Sequence, residues 1–564
     1  MSDIAQLLAD AASQLTQDGA PYALTDLSVG GNDYRVYQAA PDSMRELLAV
    51  GRGHGDACFI EYEDESWSFT RFYEHVDAIA YQLVNRYNLA KGDRVAIAMR
   101  NFPEWMTAYV AVTSLGAIVV PLNSWGKKDE LEYALNDCGA KVVFCDQQRF
   151  NYIADDLINM GLKAVVVRPS EAINTANAES YDSFIDGINN IEVPFFDVAP
   201  EDPAMIMYTS GTTGNPKGVV SSNRNITQAV INFEFSATSS AMANPKAIGA
   251  MIASGNPPAS LLAVPLFHVS GCYAMFLLSL RGGRKIVMMY KWDAGKALEL
   301  IEQKKITTLS AVPTMVMDVL EHPNFDSTDT SSLFALGAGG AACPPRFAEL
   351  AYDKVDNVYA GTGYGMTENN ATGSNCSGEA FRHKPNSAGV LSPVVEFKTC
   401  DENGNELEKG ATGEIWLKSA AVAQGYWNNP EATAETFIDG WLVTGDIGYI
   451  DDEEFVFIVD RAKDIIIRGG ENIAAAEIEG CLHDHPAIWE VAAISVPHDG
   501  LGEEVGVVAN TKEGETITAE ELQAFVKERL AAFKVPSKVW IRDEPMPRNA
   551  TGKILKKALK EQYN

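Results

Sequence analysis

Residues 205–220 constrain the fold of this chain more than any other stretch. The apolar run Met205-Ile206-Met207 feeds a loop, Tyr208-Thr-Ser-Gly-Thr-Thr-Gly-Asn-Pro-Lys-Gly-Val-Val220, made of glycine, hydroxyl residues and one lysine. A buried strand that ends in small residues presents unpaired backbone N–H groups to an anion. Thr209, Ser210, Thr212 and Thr213 add hydroxyl donors around Gly211 and Gly214, and Lys217 adds a mobile positive charge. A polyphosphate is the ligand such chemistry suits.

The spacing excludes a P-loop, G-x-x-x-x-G-K-[ST]. No glycine directly precedes Lys217 and no hydroxyl follows it, so the residue that would hold Mg²⁺ in a P-loop is missing. Upstream, apolar strands alternate with helical periods. Residues 3–16 have the spacing of a short helix, and Phe72, Val76, Ile79, Ala80, Leu83 and Tyr87 lie on one helical face. Strands are expected at Val95–Met99, 118–120, 142–145, 164–167 and 204–208, with helices through Trp105–Val112 and Glu130–Asp137. This alternation predicts an α/β fold, mostly parallel and covered on both faces, with ligands at strand ends. Residues 236–260, rich in small residues, are expected as a surface excursion.

Leu261–Gly271 opens a second α/β run, with a strand at 286–289, a helix through Ala297–Ile301 and a further segment at 307–312. The small-residue loop Gly337–Ala342 follows. Tyr359-Ala-Gly-Thr-Gly-Tyr-Gly-Met-Thr-Glu368 is a second signature. Tyr364 offers a flat ring to a purine, Thr367 a hydroxyl to an α-phosphate, and Glu368 a carboxylate to Mg²⁺ on phosphate oxygens. Short alternating strands from Gly413 onward suggest a small β-rich part, in which Gly440–Asp446 ends one strand. Val459-Asp-Arg-Ala-Lys-Asp-Ile-Ile-Ile-Arg-Gly-Gly-Glu-Asn-Ile473, charged around a short linker, suits a domain boundary. Beyond it, two strands and two helices indicate a small α+β domain.

At 564 residues the chain exceeds one ordinary domain. The net charge of −31 argues against nucleic acid and anionic membrane surfaces as partners. Eight scattered cysteines without a Cys-x-x-Cys pair fit reduced thiols in a cytoplasmic protein. The start Met1-Ser-Asp-Ile-Ala-Gln lacks the features of a signal peptide, and both long apolar runs are interrupted, so no membrane segment is expected.

Together the loop at 208–220, Tyr-Gly-Met-Thr-Glu368, Thr444-Gly-Asp446, the 459–473 segment and Pro547-Arg-Asn-Ala-Thr-Gly-Lys-Ile-Leu555 resemble the adenylate-forming superfamily of acyl-CoA synthetases, luciferases and nonribosomal peptide adenylation domains, and most closely bacterial fatty-acid–CoA ligases. The resemblance implies a large N-terminal domain (residues 1–459, β-rich from about 385), a hinge at 460–463 and a mobile small C-terminal domain (464–564). It implies that Asp446 accepts both ribose hydroxyls, Arg461 contacts the nucleotide, and Lys463 is the hinge. It also implies that Gly469 and Gly470 line the CoA channel, and that Gly339, Gly340 and Ala341 pack against adenine. His268 and Gly363, with Gly339, would line the acyl pocket, and Lys553 would reach the substrate carboxylate and α-phosphate. The Asp that amino-acid adenylation domains carry near His268 is absent, which favours a plain carboxylic acid. Asn223 stands where the family commonly has a histidine, so that contact is lost.

The expected activity is an acid–CoA ligase that uses ATP, Mg²⁺ and coenzyme A on a medium- to long-chain fatty acid. Catalysis would fall to Lys553, Thr367, Glu368 and Lys217, with Glu368 as the metal ligand. A homodimer is compatible with this. Loading of a carrier protein, an aryl or branched acid, a luciferase-like oxygenase or a silent nucleotide-binding protein are the alternatives.

Overall fold

The computed structural model describes residues 2–188, 191–209, 216–549 and 552–564. Two large sheets form its framework. In the first, the parallel strands Arg94–Ala98, Ile118–Pro121, Val142–Asp146, Lys163–Val167 and Pro203–Thr209 pair side by side. Every residue of Val142–Asp146 is buried, as a strand covered on both faces requires. The helix Pro103–Leu115 is buried throughout; Pro103 starts it and Gly116, at φ 86°, closes it in the left-handed region. The apolar run Trp105–Leu122 is therefore core, and among the described residues no helix is long and apolar enough to cross a membrane.

The second sheet begins parallel, through Cys58–Tyr62, Lys285–Met288, Ala259–Leu262, Thr308–Ala311, Ala335–Ala338 and Tyr359–Tyr364. It then turns antiparallel, from Ser374–Ser377 through Gly389–Leu391, Phe455–Arg461, Trp441–Ile450 and Gly413–Lys418 to Glu396–Cys400. The β-rich segment thus extends this sheet. A separate small sheet runs from Ile466–Arg468 to Lys538–Ile541 with its own apolar core around Ile466, Ile478, Val507 and Leu522.

Two expectations change. Residues 236–243 are not a surface excursion: the helix Asn223–Ala243 runs through them with Ser239, Ser240 and Ala243 buried. Helical spacing of Phe235, Ser239 and Ala243 lets small side chains pack closely where periodic large ones are absent. The following helix, Pro245–Ser254, and residues 255–258 lie at the surface as expected. Asp446 also falls inside the strand Trp441–Ile450 rather than at its end. Alternating burial continues to Ile450, and Gly448 leaves room for the Phe457 carbonyl, which a Cβ would approach to 2.3 Å.

Candidate active site

The strands Pro203–Thr209 and Lys217–Ser222 are antiparallel, with Thr209 opposite Lys217. Ser210, Gly211, Thr212, Thr213 and Gly214 lie outside the described residues, but their two flanking strands bring Thr209 and Lys217 side by side. Gly218 needs its missing side chain: a Cβ would come within 2.7 Å of Ile206 Cγ2. The short strand Gly425–Tyr426 adds to the same edge. Tyr426 then links two of the expected site residues. The Lys217 ammonium lies 4.9 Å from its ring centroid, and its hydroxyl donates to Glu368 Oε1 at 2.9 Å. Sequence reasoning passed over Tyr426; a Gly-Tyr-Trp triplet before Asn-Asn-Pro reads locally as a turn.

Glu368 sits in a 3₁₀ turn, Thr367–Asn369, directly after the glycine-rich strand Tyr359–Tyr364. Gly365 is obligatory, because a Cβ would strike the Ala371 backbone at 2.6 Å. Thr367 is buried, and the Glu368 carbonyl accepts from Ala423 N–H at 2.8 Å. The neighbouring Asn370, at φ 51°, accepts from Tyr273 Oη at 2.6 Å and Ser221 Oγ at 3.0 Å and donates to the Ala421 carbonyl. It ties the turn to the strand Lys217–Ser222. Asn223 is buried and structural, accepting from Met44 N–H at 2.9 Å and donating to the Asp202 carbonyl.

Asp446 pairs in register with Arg461 across two antiparallel strands. Its Oδ1 is 2.8 Å from Arg461 Nε, and its Oδ2 accepts from Tyr364 Oη at 2.6 Å. Burial pushes the Asp446 carboxyl up, against the pull of Arg461, the Tyr364 hydroxyl, Lys553 and Lys463. The Tyr364 hydroxyl is raised by burial and by that carboxylate.

Lys553 enters from the chain's last hairpin. Asn549 N–H donates to the Lys553 carbonyl at 2.9 Å, and Lys553 N–H donates to Asn549 Oδ1 at 2.9 Å. Arg548 pairs with Glu490 and donates to the Gly552 carbonyl. Burial lowers the Lys553 ammonium, and Arg461 lowers it further, while Asp446 and Asp464 oppose the shift. His268 accepts from Ser270 N–H through Nδ1, and burial together with the charge of Lys553 brings its imidazole down to about 4. Val312 joins two loops: its methyls lie 3.8 Å from where a Cβ would stand on Gly340 and 3.6 Å from one on Gly552. Gly339 N–H donates to the Ala311 carbonyl at 3.0 Å, fixing the start of the Gly339-Gly340-Ala341 loop.

Lys463 lies in the 3₁₀ turn Ala462–Asp464, between the last strand of the second sheet and the small sheet. Burial lowers its ammonium, with Asp464 opposing and Arg461 and Lys553 reinforcing the shift. Gly469 and Gly470 form a hairpin turn at φ 59° and 92°, the two positive angles a two-residue turn demands. Gly363 stands exposed on the Tyr359–Tyr364 strand. The tertiary structure thus gathers Tyr364, Asp446, Arg461, Lys463, Lys553 and His268 into one charged cluster, and Thr209, Lys217 and Glu368 around Tyr426.

Among the described residues no group of three or more His, Cys, Asp and Glu is placed so that it could hold a metal ion. The one assigned donor, Glu368, is a hard carboxylate. That suits Mg²⁺, which is held by one or two carboxylates together with substrate phosphates and water.

The family described as "AMP-binding enzyme" matches residues 48–427, and "AMP-binding enzyme C-terminal domain" matches residues 477–553. A long-chain-fatty-acid–CoA ligase of Bacillus subtilis is 34% identical over 502 residues, covering 84% of this chain and 86% of that protein. A feruloyl-CoA synthase of Amycolatopsis is also 34% identical, over 84% of this chain and 89% of its own length. Among solved structures, ATP-bound MatB from Rhodopseudomonas palustris superposes with a TM-score of 0.79 at 28% identity, over 92% of this chain and 99% of that one. The o-succinylbenzoate CoA synthetase of Bacillus subtilis, solved with its acyl-adenylate intermediate, gives a TM-score of 0.74 at 29% identity, over 91% and 97%. By these family matches and relatives, the chain belongs to the AMP-binding, adenylate-forming enzymes, and it is an acid–CoA ligase that works with ATP, Mg²⁺ and coenzyme A.

Proposed function

We propose that the acid is a medium- to long-chain fatty acid, and that the residues gathered above carry its activation. A carboxylate is a poor electrophile; attack on the α-phosphorus of ATP turns it into an acyl adenylate with AMP as leaving group. The protein's part is positioning and charge stabilisation. Lys553 and Thr367 hold charge at the α-phosphate, and Lys217 with the hydroxyl loop manages pyrophosphate. Asp446 has about four lone-pair sites; Tyr364 and Arg461 use two, and two remain for the ribose hydroxyls. Bound at Glu368, Mg²⁺ would neutralise phosphate charge. His268 and the Gly339–Ala341 loop border the acyl group. In the second half-reaction the small domain turns about Lys463, withdraws Lys553 and brings the Gly469–Gly470 turn to the pantetheine path.

One observation carries this assignment: Lys553 lies close enough to Arg461 and Asp446 for their charges to act on its ammonium, and close enough to His268 for its own charge to lower that imidazole. The fatty acid is supported by the named activity of the Bacillus subtilis relative. All eight cysteines are free, which supports a reducing, cytoplasmic setting. The test is a panel of aliphatic, aryl and branched acids with ATP, following AMP and acyl-CoA together. Long aliphatic acids should give the highest kcat/KM, with AMP formed in step with thioester. Preference for an aryl acid would overturn the substrate, and acyl transfer only to a carrier protein would overturn CoA as acceptor.

A further inference from the structure

The first helix of the small domain has no cap of its own. Ala475–His483 starts after Ala474, whose methyl accepts no hydrogen bond, whereas Ala519–Arg529 in the same domain is closed by Thr518 and Glu521 in a reciprocal pair. The first N–H groups of a helix have no partner within it. Here Ala476 N–H donates to Asp460 Oδ2 at 3.0 Å. Ala476 is the second residue of the helix, the position whose N–H an N-cap side chain ordinarily accepts. A carboxylate also suits the positive end of the helix dipole. This one comes from 16 residues upstream.

Asp460 does not belong to the domain it caps. It lies in the strand Phe455–Arg461 and pairs with Ile447 of Trp441–Ile450, so its backbone is part of the second large sheet. It is buried, and its Oδ1 accepts from Arg461 N–H at 2.7 Å. The turn Ala462–Asp464 separates it from the small sheet. A second link runs to the chain's last helix, Lys556–Tyr563. Lys556 pairs with Glu479 at 2.8 Å, and Glu479 also accepts from Ala493 N–H at 2.8 Å. Burial works to lower the Lys556 ammonium; Glu479, Asp460 and Asp464 outweigh it and raise it. Lys553 stands three residues before Lys556 (556 − 553). One carboxylate fixed in the large domain thus bonds to the small domain's first helix and attracts its last, next to Lys553.

We infer that Asp460 is a positioning residue: it latches the small domain in the orientation that brings Lys553 to the Asp446–Arg461 pair, and it lets go when the domain turns. The inference rests on the domain turn proposed above. A turn about Lys463 carries Ala476 away from Asp460, because the two lie on opposite sides of that residue in the chain. The helix end then passes to water. The bond to Asp460 is made in one orientation only, and it favours adenylation over thioester formation. A hydrogen bond to a charged group, made in one of two orientations, shifts the balance between them by about ten- to a hundredfold.

The test starts single turnovers from acid plus ATP and from supplied acyl-AMP plus CoA, using the acid of highest kcat/KM in the panel above. Wild type is compared with Asp460→Ala and with Asp460→Ala combined with Ala474→Ser. Ala474, at φ −72° and ψ 119°, has the extended backbone of an N-cap, so serine there caps the helix from within the small domain in either orientation. Asp460→Ala should slow acyl-AMP formation about ten- to a hundredfold and leave thioester formation at the wild-type rate or above. Adding Ala474→Ser should restore the melting temperature but not the rate of acyl-AMP formation. Should Asp460→Ala not fold, the double variant carries the same comparison. Unchanged adenylation, equal slowing of both half-reactions, or recovery of adenylation together with melting temperature would overturn the latch and leave Asp460 a helix cap. Lys553→Ala, run alongside, tests the domain turn itself. If it damages both half-reactions equally, the turn fails and the latch falls with it; if it separates them and Asp460→Ala does not, only the latch is overturned.

Discussion

His268 shows how much a residue's role depends on neighbours distant in sequence. Its imidazole, ordinarily near 6.5, is held down to about 4 by burial and by Lys553, 285 positions later (553 − 268). The unfolded chain therefore takes up this proton first as pH falls. The group's stabilisation is complete above pH 6.5 and is lost progressively between 6.5 and about 4. His268→Asn keeps an acceptor for Ser270 N–H and removes the titration. Melting temperatures from pH 7 to 4 should show the wild type losing on the order of 1–3 kcal/mol more than the variant. Parallel curves would mean that the imidazole is not buried beside that charge. Tyr364, Asp446, Arg461 and Lys553 could be singled out in the sequence because each sits at a fixed offset in a short signature. Their mutual contacts could not, since a motif gives residue types and no partner.

At the scale of elements, periodicity located the helices and strands well, because burial of one face is a local pattern. It failed where packing against another element decides: the small-residue end of Asn223–Ala243 and the long strand through Asp446. Tyr426 belongs here, because its importance comes from the pairing of Gly425–Tyr426 with Val219–Val220. Tyr426→Phe retains the ring under Lys217 and deletes only the donor to Glu368. A hydrogen bond to a charged group is worth about 1.5–3 kcal/mol, so adenylation should fall roughly ten- to a hundredfold if that bond positions the carboxylate for metal. The Mg²⁺ concentration for half-maximal rate should rise with it. Unchanged Mg²⁺ dependence would leave Tyr426 as a packing residue.

For the whole molecule, the decisive prediction separates the two half-reactions. Lys553 and Lys463 lie on either side of the small sheet in sequence, yet their charges meet at Arg461. Lys553→Ala should abolish acyl-AMP formation and still convert supplied acyl-AMP and CoA to thioester. Lys463→Pro fixes φ in the connecting turn, so adenylate should accumulate while thioester formation stalls. Single-turnover experiments started from either side of the intermediate, following AMP and acyl-CoA separately, distinguish these patterns. Equal damage to both steps in both variants would exclude a domain turn between them.

The amino-acid sequence by itself determined the class of fold and the order of its elements, and it singled out the stretch at 208–220 and Tyr-Gly-Met-Thr-Glu368 by residue type and spacing. These depend on side-chain periodicity and on residue types a few positions apart. The tertiary structure alone decided that Lys553 reaches the Asp446–Arg461 pair and that Tyr426 bridges Lys217 and Glu368. Strand order and register set those distances. They follow from which surfaces bury one another across hundreds of residues, and a local pattern carries no record of that choice.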